Sequence, residues 1–270
     1  MSIGLVITAA GSGNRFGGAL NKVFTLLKGK PILLHTLSCF KNYDIFSNCI
    51  ITLNQSDFLE YKDKMDFSFL PFPVQFIQGG NTRQDSVMLA CDYLDTDYIL
   101  IHDGARPNVS ENVIDNVLNE KELSFATIPA IDLTDTIKKV KRGIVQETVD
   151  RSSLCAVQTP QLFYSNVLQL SYFMQDLVFC ASNISSFVYY HFIFIAILFN
   201  ESFLFRFFSI IFVNVCYFRE AAKARTVTDE ATLIERLGFD IKVVLGDRTN
   251  IKVTYSEDLY FLDFLKRQES

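Results

Sequence analysis

The chain has 270 residues, of which 49% are apolar, and carries a net charge of −5. That length suits one α/β domain, or one domain with an added segment, and so much apolar side chain supports a large core. A mildly acidic chain has no bulk attraction to nucleic acid, so a phosphate site has to be built locally.

The first predicted strand is Ile3–Ala9. It runs into a glycine-rich turn, Ala9-Ala10-Gly11-Ser12-Gly13-Asn14-Arg15-Phe16-Gly17-Gly18. Such a turn after a strand lets backbone N–H groups cradle an anion. No Gly-Lys-Ser/Thr follows, so it is not a P-loop. The spacing is GxGxxxG without an acidic residue closing a strand downstream, so it is not a dinucleotide fingerprint either. Two cations lie within reach, Arg15 and Lys22. A cradle with two cations meets the need of nucleotidyl transfer for charge stabilisation; a tight turn with two solvated cations would look the same.

Pro31–Lys41 is a predicted helix, and Cys49–Leu53 and Val74–Gln78 are predicted strands. Gly79-Gly80-Asn81-Thr82-Arg83-Gln84-Asp85-Ser86 then opens a helix over Arg83–Leu94. Small residues there admit a flat base whose edge Ser86 and backbone groups can read; a capped helix start is the plainer reading. Strand Tyr98–His102 ends in His102-Asp103-Gly104-Ala105-Arg106-Pro107. A carboxylate at the end of a central strand suits Mg²⁺, and Arg106 suits a substrate phosphate. An Asp–Arg pair tying a loop is the alternative, and His102 reads as structural. Helix Glu111–Asn119, with Ser110 as N-cap, and strand Phe125–Pro129 follow.

Residues 132–150 are polar with weak alternation around Gly143, which predicts a projecting β-hairpin arm. Asp135-Thr136, Asp150-Arg151 and Gln158-Thr159-Pro160-Gln161 lie on or after it. Thr228-Asp229-Glu230-Ala231 starts helix Asp229–Leu237, stopped by Gly238, and faces its N–H groups to any anion. Asn250-Ile251-Lys252-Val253-Thr254 supplies a late cation, Lys252. Strand–helix alternation at this spacing implies an α/β fold, a three-layer, mostly parallel sheet with ligands beyond the carboxyl ends of its strands.

Residues 173–218 stand apart. They hold no Gly and no Pro, and 12 of the 26 Phe. Leu177–Asn200 is a 24-residue run without formal charge, long enough for a membrane span but interrupted by Ser182, Asn183, Ser185, Ser186 and His191. The six cysteines (Cys39, Cys49, Cys91, Cys155, Cys180, Cys216) show no CxxC and no zinc spacing, so reduced, mostly buried thiols in a cytosol-like compartment are expected. The N-terminus carries no presequence pattern.

Read together, AAGSGNRFG, LNKVF, GKPILLHTL, GGNTRQDSV, HDGARP, DTIK, TVDR, QTPQLF, TDEA with LIERLG, and GDRTNIKVTYSEDL resemble the 2-C-methyl-D-erythritol 4-phosphate cytidylyltransferase family. They follow the family's order and span everything except 173–218. The resemblance implies a Rossmann-like nucleotidyltransferase fold. It implies transfer of CMP from CTP to methylerythritol phosphate with release of pyrophosphate, with Mg²⁺ as cofactor. It also implies a homodimer in which each arm reaches the partner's site, and a cytoplasmic enzyme, or a plastid one if a targeting segment precedes Met1.

Residue by residue, the resemblance gives Arg15, Lys22 and Lys252 the charge at the α-phosphate. Ala9, Ala10, Gly11, Gly80, Asn81 and Ser86 line the cytidine pocket. Asp103 sits beside ribose, metal and incoming substrate. Arg106, Thr159, Thr228 and Lys252 surround the sugar phosphate, and Thr136 and Arg151 approach it from the arm.

Two departures stand out. The family's Pro-Lys-Gln is here Asn21-Lys22-Val23, which leaves the charge and questions the stiffness of the loop. Thr159 and Thr228 are 69 residues apart, far more than a connection inside a compact domain needs. Without 173–218 the flanks read as one helix and loop. That segment is open to three readings: sequence that is not native coding, such as a translated intron; a membrane hairpin; or an insertion packed on the core or a partner. Membrane contact is expected only through it. Three other functions stay open. They are a sister enzyme acting on ribitol 5-phosphate, a membrane-associated homologue of low activity, and a general nucleotide-sugar transferase. The last should show a second late acidic metal ligand, which is not found in the expected context.

Overall fold

Leu5 and Ile7 bury one way from the first strand and Val6 the other, the period of two that a strand covered on both faces requires. This strand, β1 (Ile3–Thr8), sits in the middle of an eight-stranded sheet. The computed structural model describes residues 1–11, 16, 21–183, 227 and 229–268, without the side chains of 176–183. The elements of those residues are labelled in chain order.

A small hairpin, β2 (Leu26–Leu27) with β3 (Lys30–Pro31), leads to helix α1 (Ile32–Ser38). Strand β4 (Phe46–Leu53), helix α2 (Gln55–Tyr61), strand β5 (Val74–Gln78), helix α3 (Arg83–Cys91), strand β6 (Tyr98–Asp103) and helix α4 (Glu111–Asn119) follow. Strand β7 (Ala126–Asp132) leads to the arm strands β8 (Ile137–Lys141) and β9 (Ile144–Val149). Then come β10 (Cys155–Val157), β11 (Gln161–Tyr164), α5 (Ser165–Asn183), α6 (Ala231–Arg236), β12 (Lys242–Leu245) and α7 (Asp258–Gln268).

Strands β5, β4, β1 and β6 pair in parallel in that order. Strand β11 lies antiparallel between β6 and β7; β7 also pairs β10 antiparallel and β12 in parallel. The sheet is therefore mixed but mostly parallel, as expected. Two core clusters cover its faces. Residues Ile32, Leu33 and Leu37 of α1, Val113, Ile114 and Val117 of α4, and Leu262 of α7 pack on one. Val87 and Ala90 of α3, Leu168 of α5, and Leu233 and Ile234 of α6 pack on the other. Chain order reverses across β1: β4 follows on one side and β6 lies on the other. That places a crevice at the carboxyl ends of β1 and β6.

The arm is a separate two-stranded antiparallel sheet. Arg142 (φ 53°) and Gly143 (φ 77°) form its tip, the left-handed pair that a two-residue hairpin turn needs. Val140, Ile144 and Val145 on it are exposed.

Ser110 occupies the N-cap position of α4 but makes no capping bond; its hydroxyl is turned to Asp247 instead. The predicted helices over 31–41 and 83–94 end earlier, at Ser38 and Cys91, in turns that continue into the next loop. Gly238 (φ 78°) stops the chain after α6 as expected. Cys49 and Cys91 are buried thiols, Cys39 is half-buried and Cys155 is exposed, so the expectation of burial fails at Cys155.

Helix α5 carries the chain into the anomalous segment. Tyr172 and Met174 on it are buried in the core. The backbone of α5 runs on to Asn183, and residues 184–218 lie outside the described residues. Among the described residues no helix is long and apolar enough to cross a membrane.

Candidate active site

Backbone bonds continue past the strand ends and stitch their loops together. Ala9 N donates to Thr52 O (3.0 Å), Gly79 N to Leu53 O (2.7 Å) and Gly104 N to Thr8 O (2.9 Å). The loops thus converge on a cleft of about 530 Å³. It is lined by Ala10 and Gly11 after β1, by Lys22, by Gly80, Asn81 and Ser86 around the start of α3, by Asp103 at the end of β6, and by Lys252. These eight come from the motifs picked out in the sequence, and Thr8, Thr82, Arg83, Ala105 and Thr254 line the cleft beside them.

Lys22 follows Asn21, a buried residue whose Oδ1 caps the 3₁₀ turn Lys22–Phe24. Its ammonium donates to Val253 O at 2.7 Å, next to Lys252. The two cations therefore line the same cleft.

At the mouth of α3 the plain reading holds together with the functional one. Thr82 and Asp85 form a reciprocal capping box. Ser86 donates its hydroxyl proton to Thr82 O (2.8 Å) and accepts from Gly80 N (3.1 Å). Its hydroxyl is thereby engaged by the loop and helix-start backbone. A side chain at Gly80 would run into Asp85, with Cβ to Cβ at 2.3 Å, so glycine is required for the close approach.

Asp103 is the centre of charge. Its carboxylate lies 2.8 Å from Lys252 Nζ, 3.5 Å from Arg106 Nε and 3.6 Å from Arg83 Nε, and accepts from Thr8 Oγ1 at 3.2 Å. Burial alone would raise its pKa; Lys252, Arg83 and Arg106 outweigh burial and hold it well below the usual carboxylate range. Arg83 also pairs with Glu230, a fully buried carboxylate that Tyr172 approaches with its hydroxyl at 3.5 Å. Three cationic side chains (Arg83, Arg106, Lys252) thus meet two carboxylates and Lys22 lines the same cleft, a local positive surplus in an acidic chain.

Arg83 and Glu230 were not singled out in the sequence, although both lie in quoted motifs. Arg83 stands in the first turn of a helix, and its direction depends on where β6 and the start of α6 lie. No local signal supplies that.

Arg106 and Thr159 do not line the cleft. Arg106 is taken up by Asp103 and by Asn250 O (2.7 Å), so the Asp–Arg loop tie is real. Thr159 Oγ1 accepts from Asp103 N (3.1 Å) and bonds His102 Nδ1 (3.0 Å). His102 is fully buried, its Nε2 is 3.1 Å from Arg106 O, and burial lowers its pKa to about 4. It is a neutral structural residue, as expected. Ala9 is likewise buried behind the cleft.

The Gln158-Thr159 motif has a function that its sequence hides. Gln158 donates to Asp247 O (2.7 Å) and accepts from Asp247 N (3.1 Å), while Asn250 Nδ2 donates to Thr159 O (2.8 Å). Val253 N then donates to Ala105 O (2.8 Å). These bonds carry the late loop to β6 and present Lys252 to Asp103.

Thr136 and Arg151 are exposed at the base of the arm, away from the cleft walls; Arg151 bonds Thr134 O. Arg15 and Thr228 lie outside the described residues.

Comparison with known proteins follows the same pattern. The sequence profile of the 2-C-methyl-D-erythritol 4-phosphate cytidylyltransferase family matches residues 3–180 and 204–268. The enzyme of that name from Bacillus thuringiensis (strain Al Hakam) is 37% identical over 257 residues, covering 94% of this chain and 93% of the relative. That from Bacillus velezensis (strain DSM 23117 / BGSC 10A6 / LMG 26770 / FZB42) is 31% identical, covering 98% and 96%. Among solved structures, the Francisella tularensis 2-C-methyl-D-erythritol 4-phosphate cytidylyltransferase superposes with a TM-score of 0.67 at 26% identity, covering 98% of this chain and 99% of the other. The 4-diphosphocytidyl-2C-methyl-D-erythritol synthase of Anaerococcus prevotii DSM 20548 shares the fold, with a TM-score of 0.69 at 24% identity, covering 98% of each chain. The chain belongs to the 2-C-methyl-D-erythritol 4-phosphate cytidylyltransferase family.

Proposed function

We propose that the chain transfers CMP from CTP to 2-C-methyl-D-erythritol 4-phosphate, giving 4-diphosphocytidyl-2-C-methyl-D-erythritol and pyrophosphate. The observation that carries this reading is that Lys22 and Lys252 line one cleft together with a capped, glycine-opened helix start. A phosphate oxygen of the sugar attacks the α-phosphorus of CTP in line, and the bond to the β-phosphate oxygen breaks. The phosphate monoester is already a nucleophile, so the step needs positioning and fixed charge rather than a base. The buried, neutral His102 fits that requirement.

In this reading Lys22, Lys252 and Arg15 stabilise charge at the α-phosphate. Ala10, Gly11, Gly80 and Asn81 face the nucleoside, with Ala9 and Ser86 supporting them from behind. Arg106 and Thr159 hold Asp103 and the Lys252 loop, which makes their part indirect. Thr228 bounds the sugar phosphate. Thr136 and Arg151 reach it from the arm of a second copy in a homodimer. The exposed Val140, Ile144 and Val145 supply apolar surface for that contact.

The donor set fits Mg²⁺ held chiefly by nucleotide phosphates. Among the described residues Asp103 is the one carboxylate lining the cleft, and no cluster of three metal-ligating side chains occurs. Bound there, the ion would neutralise the departing pyrophosphate.

We read 173–218 as containing an insertion into this domain. The family profile passes over 181–203, inside that segment. The buried Met174 supports keeping the start of the segment with the core.

The test is pyrophosphate release from CTP on the full chain and on a version lacking 181–203, with Mg²⁺ or with chelator, offering methylerythritol phosphate or ribitol phosphate. Turnover with methylerythritol phosphate alone, abolished by chelator, is expected. Turnover with ribitol phosphate instead would reassign the substrate. No turnover by either folded version would reject the reaction.

A further inference from the structure

We propose that Asn21 and Asp57 are a positioning pair that aims Lys22 into the cleft. This rests on the reading of Lys22 given above.

Asn21 is 6% exposed, and each of its side-chain atoms is engaged. Its Nδ2 donates to Ala9 O at 2.9 Å and to Asp57 Oδ2 at 2.7 Å, and its Oδ1 accepts from Val23 N at 3.4 Å. Ala9 directly follows β1 and precedes the glycine-rich sequence, and Asn21 follows that sequence. One amide therefore ties entry to exit. It also caps the short 3₁₀ turn on which Lys22 rides.

The tie is anchored outside the turn. Asp57 is buried on α2 behind β4, the neighbour of β1. Its Oδ2 also accepts from Asn54 Nδ2 at 2.6 Å, and its N–H donates to Asn54 Oδ1 at 2.9 Å. A buried carboxylate held on its own helix start is a fixed acceptor, and a charged acceptor makes the stronger hydrogen bond.

The geometry assigns a direction as well as a place. Lys22 reaches from the 3₁₀ turn to Val253 O beside Lys252, so a rotation of that turn displaces its ammonium within the cleft. Asn21 has φ −60°, the value a proline ring imposes. The backbone exit is thus one that either a ring or this hydrogen-bonded amide can hold.

The experiment is a cycle on the full chain: wild type, Asn21→Ala, Lys22→Ala and the double variant, with Asn21→Pro as rescue. Pyrophosphate release gives kcat and KM, titration with CTP alone gives affinity without the sugar substrate, and thermal melts report folding. Asn21→Ala is expected to lower kcat about 10- to 100-fold, the loss that a misplacement on the order of an ångström brings. On the Lys22→Ala background the same change should cost less than about twofold, because no ammonium remains to be aimed. Asn21→Pro should return kcat to within about fivefold of wild type. Should Asn21→Ala fail to fold, Asp57→Asn, which keeps an acceptor oxygen, replaces it, with a smaller loss of the same pattern. Losses that multiply in full, or a lower melting temperature with kcat unchanged, would overturn the proposal, since Asn21 would then only cap a turn. If the wild type binds CTP but does not use methylerythritol phosphate, the assigned reaction fails alone. The cycle is then read on CTP affinity, where coupling upholds the pair and additivity rejects it. A wild type that binds no CTP overturns both.

Discussion

The Asp103 cluster and the arm are built on opposite principles, although both carry residues assigned to one reaction. Around Asp103, ties join β1, β6, α3 and the loop after β12, residues far apart in sequence, and they close on a buried carboxylate. The arm is held by its own ladder and by surface pairs such as Lys139–Glu147 at 3.0 Å. The first region is complete within one chain. The second presents Val140, Ile144 and Val145 to its surroundings and leaves Thr136 and Arg151 exposed, away from the cleft walls. In the proposed reading, the first region supplies the fixed charge that the chemistry needs, and the arm of a second copy supplies substrate selection.

The largest test of that contrast is Lys252→Ala. It removes charge from a preorganised wall, and turnover should fall about 10²–10³-fold, or about 3–4 kcal/mol of transition-state stabilisation. Urea melts should show the fold retained, because Arg83 and Arg106 still flank Asp103. A loss below tenfold would place the chemistry elsewhere.

Next in size is acid sensitivity. The buried His102 imidazole is pushed down to about 4, against an ordinary value of 6.5. Between those values the unfolded chain binds a proton that the folded chain refuses. Its contribution is therefore present in full above about pH 6.5 and is lost at about 1.4 kcal/mol per pH unit on the way down. Asp103, held low, loses its contribution only in more acidic solution. Glu230, pushed up by burial against the opposing pull of Arg83, slopes the other way. The reading is thus a difference: denaturant melts of wild type minus His102→Asn from pH 7 to pH 4. Parallel curves would show that the imidazole titrates normally.

Arg151→Ala comes third. It should raise KM for the sugar phosphate about tenfold, near 1.4 kcal/mol, while CTP affinity holds. Equal loss of both would mean that the arm does not select substrate. Smallest is Lys139→Ala, where an ion pair exposed at both ends should change stability by less than about 0.5 kcal/mol. A larger change in a melt would show the arm to be packed more firmly than its exposed faces indicate.

Much of this was legible in the chain. Strand Val74–Gln78 and helix Glu111–Asn119 were read to the residue, because a short run rich in Val, Ile and Phe marks one and spaced Val113, Ile114, Val117 and Leu118 mark the other. The arm was legible from Gly143 and its polar flanks. Strands β10 and β11 were not, since three or four residues on either side of Pro160 carry too short a period to count. Helix α2 was missed for the same reason, and with it Asp57, the anchor of Asn21.

Local chemistry along the chain determined that there is a glycine-opened turn, a helix start and a strand-end carboxylate, because each depends on neighbours a few residues away. It also set the number and kind of charges available to the site. Only the tertiary structure decided which charges meet. Arg83 joined the cleft and Arg106 turned behind it; Gln158 became a clip for the Lys252 loop, and Asn21 met Ala9 O and Asp57. Each outcome depends on the relative placement of elements distant in sequence, and a side chain's partner is fixed by that placement rather than by its own type.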